Sequence, residues 1–289
     1  MKREPHNIAA LYQLALTQQS RGQLDKAIKT YRQLLHVKPD SIEALCNLGG
    51  ALHASGQYPK AANCYEKVLA INPSLPQLHY NLGTAQQSMG QVQAAQASYA
   101  RAINLKPDYL EAHFNIGVLE MEQTRFESAL KHFRQCLAVN PGIADVHNSV
   151  GLCLKQLGYS MEAIAHFRHA LQIKPDYFEA VNNLSVELMA GQQLEDAIRY
   201  AQKALELRPH EPKALYNLGI ALKGGKRYSE AAVCFRKVLA HDPADLPARL
   251  ELAHTLQTVC DGRDPEFSLQ ATADLVVEIL DHANHHDID

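Results

Sequence analysis

IEALCNLGGALHASGQYPKAANCYEKVLAINPSL, residues 42–75, decides the fold. It reads as a helix from about Ile42 to Ser55, a tight turn, and a second helix from about Pro59 to Ile71. Asp40 stands where an N-cap would satisfy orphan N–H groups, with Glu43 three residues on completing a box-like arrangement; Asp108/Glu111 and Asp176/Glu179 repeat it. Gly56 is placed to end the first helix, because such a turn needs a left-handed residue, cheap only for glycine. Pro73 stops the second helix by lacking an N–H and by biasing Asn72 away from helical angles. Gly49 and Ala61 are small enough for the two helices to approach closely, and Tyr65 fills the gap beside them. Leucine at Ala61 or Ala129 should overpack that interface at about 1–3 kcal/mol.

The unit recurs. Prolines at 39, 73, 107, 141, 175, 209 and 243 are all 34 residues apart. Alanines at 27, 61, 95, 129, 163, 197 and 231 precede them by twelve positions, and Tyr31, Tyr65, Tyr99, Phe133, Phe167, Ala201 and Phe235 by eight. Gly49, Gly83, Gly117, Gly151 and Gly219 share one slot with Ala15 and Ser185. Gly22, Gly90 and Gly158 match Gly56, whereas Gly191 and Gly225 fall one residue early. A 34-residue period carrying a Leu-Gly pair, then Ala, an aromatic and Pro, resembles the tetratricopeptide repeat (TPR) from Ile8 to Asp245. One departure is the family's frequent Trp, replaced by Leu11, Leu45, His79, His113, His147, Val181 and Leu215.

The resemblance implies an all-α fold: a right-handed TPR superhelical solenoid of seven 34-residue helix-turn-helix repeats plus C-terminal capping helices. The repeats would be 8–41, 42–75, 76–109, 110–143, 144–177, 178–211 and 212–245, after a lead of residues 1–7. No repeat buries its apolar face alone, so neighbours must stack. Beyond Asp245 the register decays. Leu246–Val259 reads as an eighth first helix, and Pro265 stands where the next alanine is due, so Cys260–Pro265 reads as a loop. Glu266 to about Ala283 then reads as an amphipathic helix, built from Phe267, Leu269, Leu275, Val276, Ile279 and Leu280, that covers the open end. Thus 246–283 is a degenerate eighth repeat with a capping helix, and 284–289 a flexible tail.

Composition narrows the function classes. Net charge is −3 and the linear sequence shows no basic stripe, which argues against a partner gripped through phosphates. Apolar runs stop well short of a membrane span, and the broken run Ile8–Leu16 lacks a signal-peptide core. Six cysteines never form a Cys-x-x-Cys pair and read as buried thiols in a reducing compartment. The expectation is a cytoplasmic protein that neither inserts in membranes nor binds nucleic acid.

No phosphate loop, zinc spacing or nucleophile motif is present, so no catalytic residue, metal or cofactor is expected. The ladder His79, His113 and His147 reads as packed between helices, and His282, His285 and His286 as solvated tail residues. Groups repeated every 34 positions are spread along a solenoid, which suits an extended ligand better than a small substrate. The best constellation is an asparagine ladder: Asn47, Asn81, Asn115, Asn183 and Asn217, with Gln13 and Ser149 in the other two repeats. In TPR solenoids this first-helix face lines the concave groove. An amide offers one acceptor and two donors, so it can pair with both N–H and C=O of an extended backbone, each bond contributing about 0.5–1.5 kcal/mol. The competing reading is that each asparagine only bonds to a neighbouring helix turn.

Tyr12, Tyr80, Phe114 and Tyr216 precede four rungs and are candidate side-chain pockets, with Val118, Met121 and Met189 beside them. Glu43, Glu111, Asp145 and Glu179 edge the same face, where they would favour basic partner segments or serve as caps. Chaperone-binding TPR domains grip a carboxylate with Lys, Asn and Arg; Tyr12, Leu16, Asn47, Gln77 and Asn81 occupy one corresponding window and lack that set. The loop-free spacing, the ladder and Leu256-Gln257-Thr258-Val259-Cys260-Asp261 resemble the repeat arm of O-GlcNAc transferase-like and SPINDLY-like proteins. Gly262 replaces that family's Trp, and residues 246–289 are too few for a nucleotide-sugar domain. Two readings follow: a non-catalytic scaffold binding a protein or peptide, or a substrate-recognition region or partner subunit of an O-GlcNAc transferase-like glycosyltransferase. Association into a homo-oligomer is a third option for the outer faces or the Phe267–Leu280 segment.

Overall fold

A computed structural model of the chain describes residues 5–260, with side chains described for 8–259; these residues form fifteen α-helices and no strand. Two compact units result, one ending at Pro141 and the other beginning at Gly142. The first holds α1 (Pro5–Ser20), α2 (Leu24–Val37), α3 (Ile42–Ala54), α4 (Tyr58–Ile71), α5 (Pro76–Ser88), α6 (Val92–Leu105), α7 (Leu110–Glu122) and α8 (Phe126–Val139). The second holds α9 (Ala144–Gln156), α10 (Ser160–Ile173), α11 (Phe178–Ala190), α12 (Leu194–Leu207), α13 (Pro212–Gly224), α14 (Tyr228–His241) and α15 (Leu246–Cys260). The expected loop, capping helix and tail from 261 onward, and residues 1–4 of the lead, lie outside the described residues.

Each odd-numbered first helix from α1 to α13 packs on the second helix that follows it, and each second helix packs on the next first helix of its unit. First helices also touch one another, α3 with α5, and α11 with both α9 and α13. Each unit is therefore an all-α solenoid of stacked helix pairs, and in the first unit the buried side chains form two clusters, one from Ala15 to Ala85 and one from Ala95 to Leu119. The small-residue slot explains how closely the pairs approach. A Cβ built on Gly49, Gly83, Gly117, Gly151 or Gly219 would lie 2.4–2.7 Å from the ring of Tyr65, Tyr99, Phe133, Phe167 or Phe235 respectively. The sixth repeat changes both partners together, with buried Ser185 facing a helix that has Ala201 in place of the ring. In the first unit polar clips twelve residues apart add to the packing: Tyr31 and Tyr99 donate to Gln19 and Gln87 at 2.9 and 2.7 Å. Thr30 and Ser98 likewise donate to Gln18 and Gln86, at 2.8 and 2.7 Å.

Two local expectations need correction. The aspartates do not cap. These three first helices each start one residue later than they require: the N-cap of α3 is Ser41, whose Oγ accepts from Ala44 N at 3.4 Å, while Tyr109 and Tyr177 precede α7 and α11 with no side-chain cap. Nor does the helix-ending turn shift with the glycines. Gly22, Gly56, Gly90 and Gly158 are left-handed at φ of +72 to +84°, but Gly191 and Gly225 sit at −79° and −76°. The left-handed position stays in register and falls on Thr124, Gln192 and Lys226 at φ of 58, 59 and 62°. Pair packing dictates the turn and imposes the strain on whatever residue stands there.

Candidate functional site

The five ladder asparagines lie half-buried along the first helices, while Gln13 is exposed and Ser149 buried. Asn47 donates from Nδ2 to the Tyr12 hydroxyl at 2.8 Å, and Asn115 to the hydroxyls of Tyr80 at 3.4 Å and Tyr99 at 3.2 Å. In the second unit Asn183 donates to Asn148 Oδ1 at 3.0 Å and Asn217 to Asn182 Oδ1 at 2.9 Å. In every case the acceptor at the head of the clip is 35 positions back, one repeat plus one residue. Asn81 breaks the pattern for a chemical reason. Its residue 35 back is Cys46, a poor acceptor, and Asn81 Oδ1 instead accepts from Gln77 Nε2 at 3.1 Å, while Gln77 Oε1 accepts from Tyr109 at 2.7 Å. Ser149 donates to its own helix at Asp145 O, 2.9 Å away. From Asn47 onward at least one polar group per rung is thus spent on its own helix or the neighbouring repeat, which the bare spacing of asparagines does not reveal.

The expected aromatic pockets are walls braced from below. Tyr80 packs against Tyr99 and Tyr109 with centroids 5.6 and 5.2 Å apart. Phe114 and Tyr216 each lie 5.8 Å from the core rings Phe133 and Phe235. Tyr12 stands edge-on to Tyr31 at 6.4 Å. Burial pushes the phenols of Tyr31, Tyr65 and Tyr109 up to about 12, so their hydroxyl protons stay available for donation at neutral pH. Val118, Met121 and Met189 are half-buried on the same helices.

The acidic edge is largely engaged. Glu179 pairs with Arg208 at 2.9 Å, Glu43 accepts from Ser41, and Asp145 accepts from Tyr177, whose phenol is raised by burial and by that carboxylate. The histidines are structural: Nε2 of His79 and His113 meet the carbonyls of Pro73 and Pro107 at 2.8 and 3.0 Å, closing the preceding turn. His113 and His147 also contact His132 and His166 through Nδ1 atoms 2.9 and 3.0 Å apart. Burial lowers the pKa of His132. Cys64, Cys136, Cys153 and Cys234 are buried and Cys46 half-buried, all with thiols raised by burial; Cys260 lies outside the described side chains. Sequence reasoning missed one charged pair. Lys155 Nζ meets Glu187 at 3.0 Å, with the glutamate side chain only 4% exposed. The available signal was Glu187 itself, standing where Ala51, Ala85 and Leu119 fill the core in other repeats.

Tetratricopeptide-repeat models match residues 76–109, 110–143, 144–177 and 212–245, and a TPR repeat model matches 19–56 and 49–90. The chain belongs to the tetratricopeptide-repeat family. Solved TPR structures share its architecture. The C-terminal part of a TPR repeat-containing protein from Cytophaga hutchinsonii superposes with a TM-score of 0.68 at 17% identity, covering 83% of this chain and 99% of that one. A tetratricopeptide repeat protein from Parabacteroides merdae gives 0.63 at 16%, covering 87% and 99%. YrrB, described as a TPR protein with an unusual peptide-binding site, gives 0.59 at 19%, covering 65% and 97%. At these identities the likeness speaks for the fold. No curated protein matches the chain. The resemblance to a transferase arm accordingly rests on the TPR chain's own residues. Among the described residues, no helix is long and apolar enough to cross a membrane.

Proposed function

We propose that this TPR chain is a non-catalytic scaffold that holds an extended segment of a partner protein along its first helices. The observation carrying this reading is the clip at Asn47, Asn115, Asn183 and Asn217. At Asn47, Asn183 and Asn217 one Nδ2 hydrogen is committed to the repeat behind, which fixes the amide plane and leaves Oδ1 and the second hydrogen for a ligand's backbone; Asn115 donates to both Tyr80 and Tyr99 and keeps Oδ1 for that purpose. Groups oriented in advance lose little entropy on binding, and backbone pairing tolerates varied sequences. Asn81, with its acceptor committed to Gln77, offers donors instead. Tyr80, Phe114 and Tyr216 supply apolar walls between rungs. YrrB, whose description names a peptide-binding site, supports the reading by showing that a chain of this fold takes such ligands.

The test is affinity purification with mass spectrometry, comparing the wild-type chain with Asn81→Ala/Asn115→Ala/Asn183→Ala. The triple variant should keep its helical circular dichroism and lose captured partners about tenfold, as expected for several lost bonds of about 0.5–1.5 kcal/mol each. Undiminished capture would remove the ladder from the function. The ladder's likeness to a transferase arm makes a glycosyltransferase one partner to look for, and its absence from the captured set would discard that version.

A further inference from the structure

In the first unit charge is sorted by layer. The first helices α1, α3, α5 and α7 carry Glu43, Glu111, Glu120 and Glu122 and no lysine or arginine. The second helices α2, α4, α6 and α8 carry eight lysines and arginines against three acids. The sequence shows no basic stripe because these residues are separated by the acidic first helices, and stacking alone gathers them. In the second unit both layers are balanced, four basic against four acidic residues on first helices and five against five on second helices.

The basic layer contains a groove at α2 and α4. A cavity of about 640 Å³ is lined by Ile28, Lys29, Arg32, His36 and Val37 of α2, with Leu11 below and Asp25 as the one acid at its edge. A second, of about 310 Å³, shares Arg32 and continues over Leu48, Leu52 and Cys64 to Pro59, Lys60 and Asn63. The floor is apolar, with Ile28, Leu48 and Leu52 each 5% exposed or less. The rim is cationic: Lys29 and Arg32 are exposed and make no ion pair among the described residues, and Lys60 is steadied by Gln57 at 2.8 Å.

We propose that this groove is a second docking surface, separate from the asparagine ladder, for an acidic amphipathic segment of a partner protein. Apolar anchors would seat on the half-buried Leu11 and Val37 over this floor while carboxylates meet Lys29, Arg32 and Lys60, the helix-in-groove mode with charge complementarity setting selectivity. A nucleic acid is the weaker candidate, since phosphate recognition makes no use of an apolar floor.

The probe is a fluorescein-labelled 16-residue helical peptide with leucines at i, i+3, i+7 and i+10 and glutamates on the other faces, read by anisotropy against the whole chain. Wild type should bind it, with affinity falling several-fold between about 50 and 300 mM NaCl as screening shortens. Lys29→Glu/Arg32→Glu, both at exposed positions, should weaken binding at least about tenfold with helical content unchanged. Peptides with lysine for glutamate or serine for leucine should fail, and Asn81→Ala/Asn115→Ala should bind the probe normally. The proposal falls if wild type ignores the probe, if the charge-reversed variant binds as tightly, or if a 16-base-pair DNA duplex binds more tightly than the peptide.

Discussion

The two units share a frame and differ in how they use it. Both close each helix pair at the same left-handed position, and both set a small residue against whatever fills the second helix. On the first-helix face, however, the first unit clips Asn47 and Asn115 to tyrosine hydroxyls, whereas the second clips Asn183 and Asn217 to other asparagines. The first unit sorts its charges between layers; the second mixes them and buries Glu187 against the partly exposed Lys155. The difference teaches that packing constrains the few slots at the helix–helix contact, leaving the faces free to diverge. A solenoid allows this because each repeat answers mainly to its neighbours.

Lys155→Met attacks the comparison where the effect is largest. It leaves the Glu187 carboxylate in a site only 4% exposed without its cation, and should cost about 3 kcal/mol. The remedy lies in the first unit, where Ala51, Ala85 and Leu119 occupy the matching slot. Lys155→Met/Glu187→Leu should therefore return to within about 1 kcal/mol of wild type, since well-packed apolar pairs replace buried ion pairs at little or no loss. Urea unfolding followed at 222 nm measures both, and equal losses in the single and double variants would show that the pair is not what distinguishes the unit.

Gly83→Ala sharpens the shared part of the frame. The new Cβ would lie 2.6 Å from the Tyr99 ring, which is fully buried and tethered to Gln87, so the ring has nowhere to go. A loss of about 1–3 kcal/mol is expected. Ser185→Ala, in the repeat with Ala201 instead of a ring, should change stability by less than about 1 kcal/mol, the worth of one local hydroxyl bond. Similar losses at the two sites would mean that the small residue serves the first helix alone and not the pair.

How much of this was legible depends on what each residue answers to. The helix pairs were, because the 34-residue register records contacts that every repeat must make; α3 and α4 begin and end within one residue of the expected bounds. The caps were not: Asp40 sits beside Ser41, and a one-residue shift of the helix start decides which side chain reaches Ala44 N. The rungs were visible as a spacing, but their bonding was hidden, since the partner of Asn183 is Asn148, an unremarked residue 35 positions away. The basic layer was hidden for a further reason. Net charge adds together helices that stacking separates.

The smallest expected effect concerns the strained turns, which occur in both units. Thr124, Gln192 and Lys226 hold φ near +60°, where a Cβ crowds the following carbonyl at about 1–2 kcal/mol. Glycine removes that crowding and gives back part of the gain through its freer unfolded chain, at about 0.4–1 kcal/mol. Thr124→Gly should gain the most, because a β-branched side chain suits this region least, at about 1 kcal/mol; Gln192→Gly and Lys226→Gly should gain about half that. The three sites lie in different repeats, so the gains should add, raising the urea midpoint stepwise. The opposite change, Gly56→Ala, should cost about 1 kcal/mol and lower the midpoint. If the glycine variants were neutral or destabilising, the left-handed turn would not be imposed by packing of the helix pair, and the common frame of the two units would need another cause.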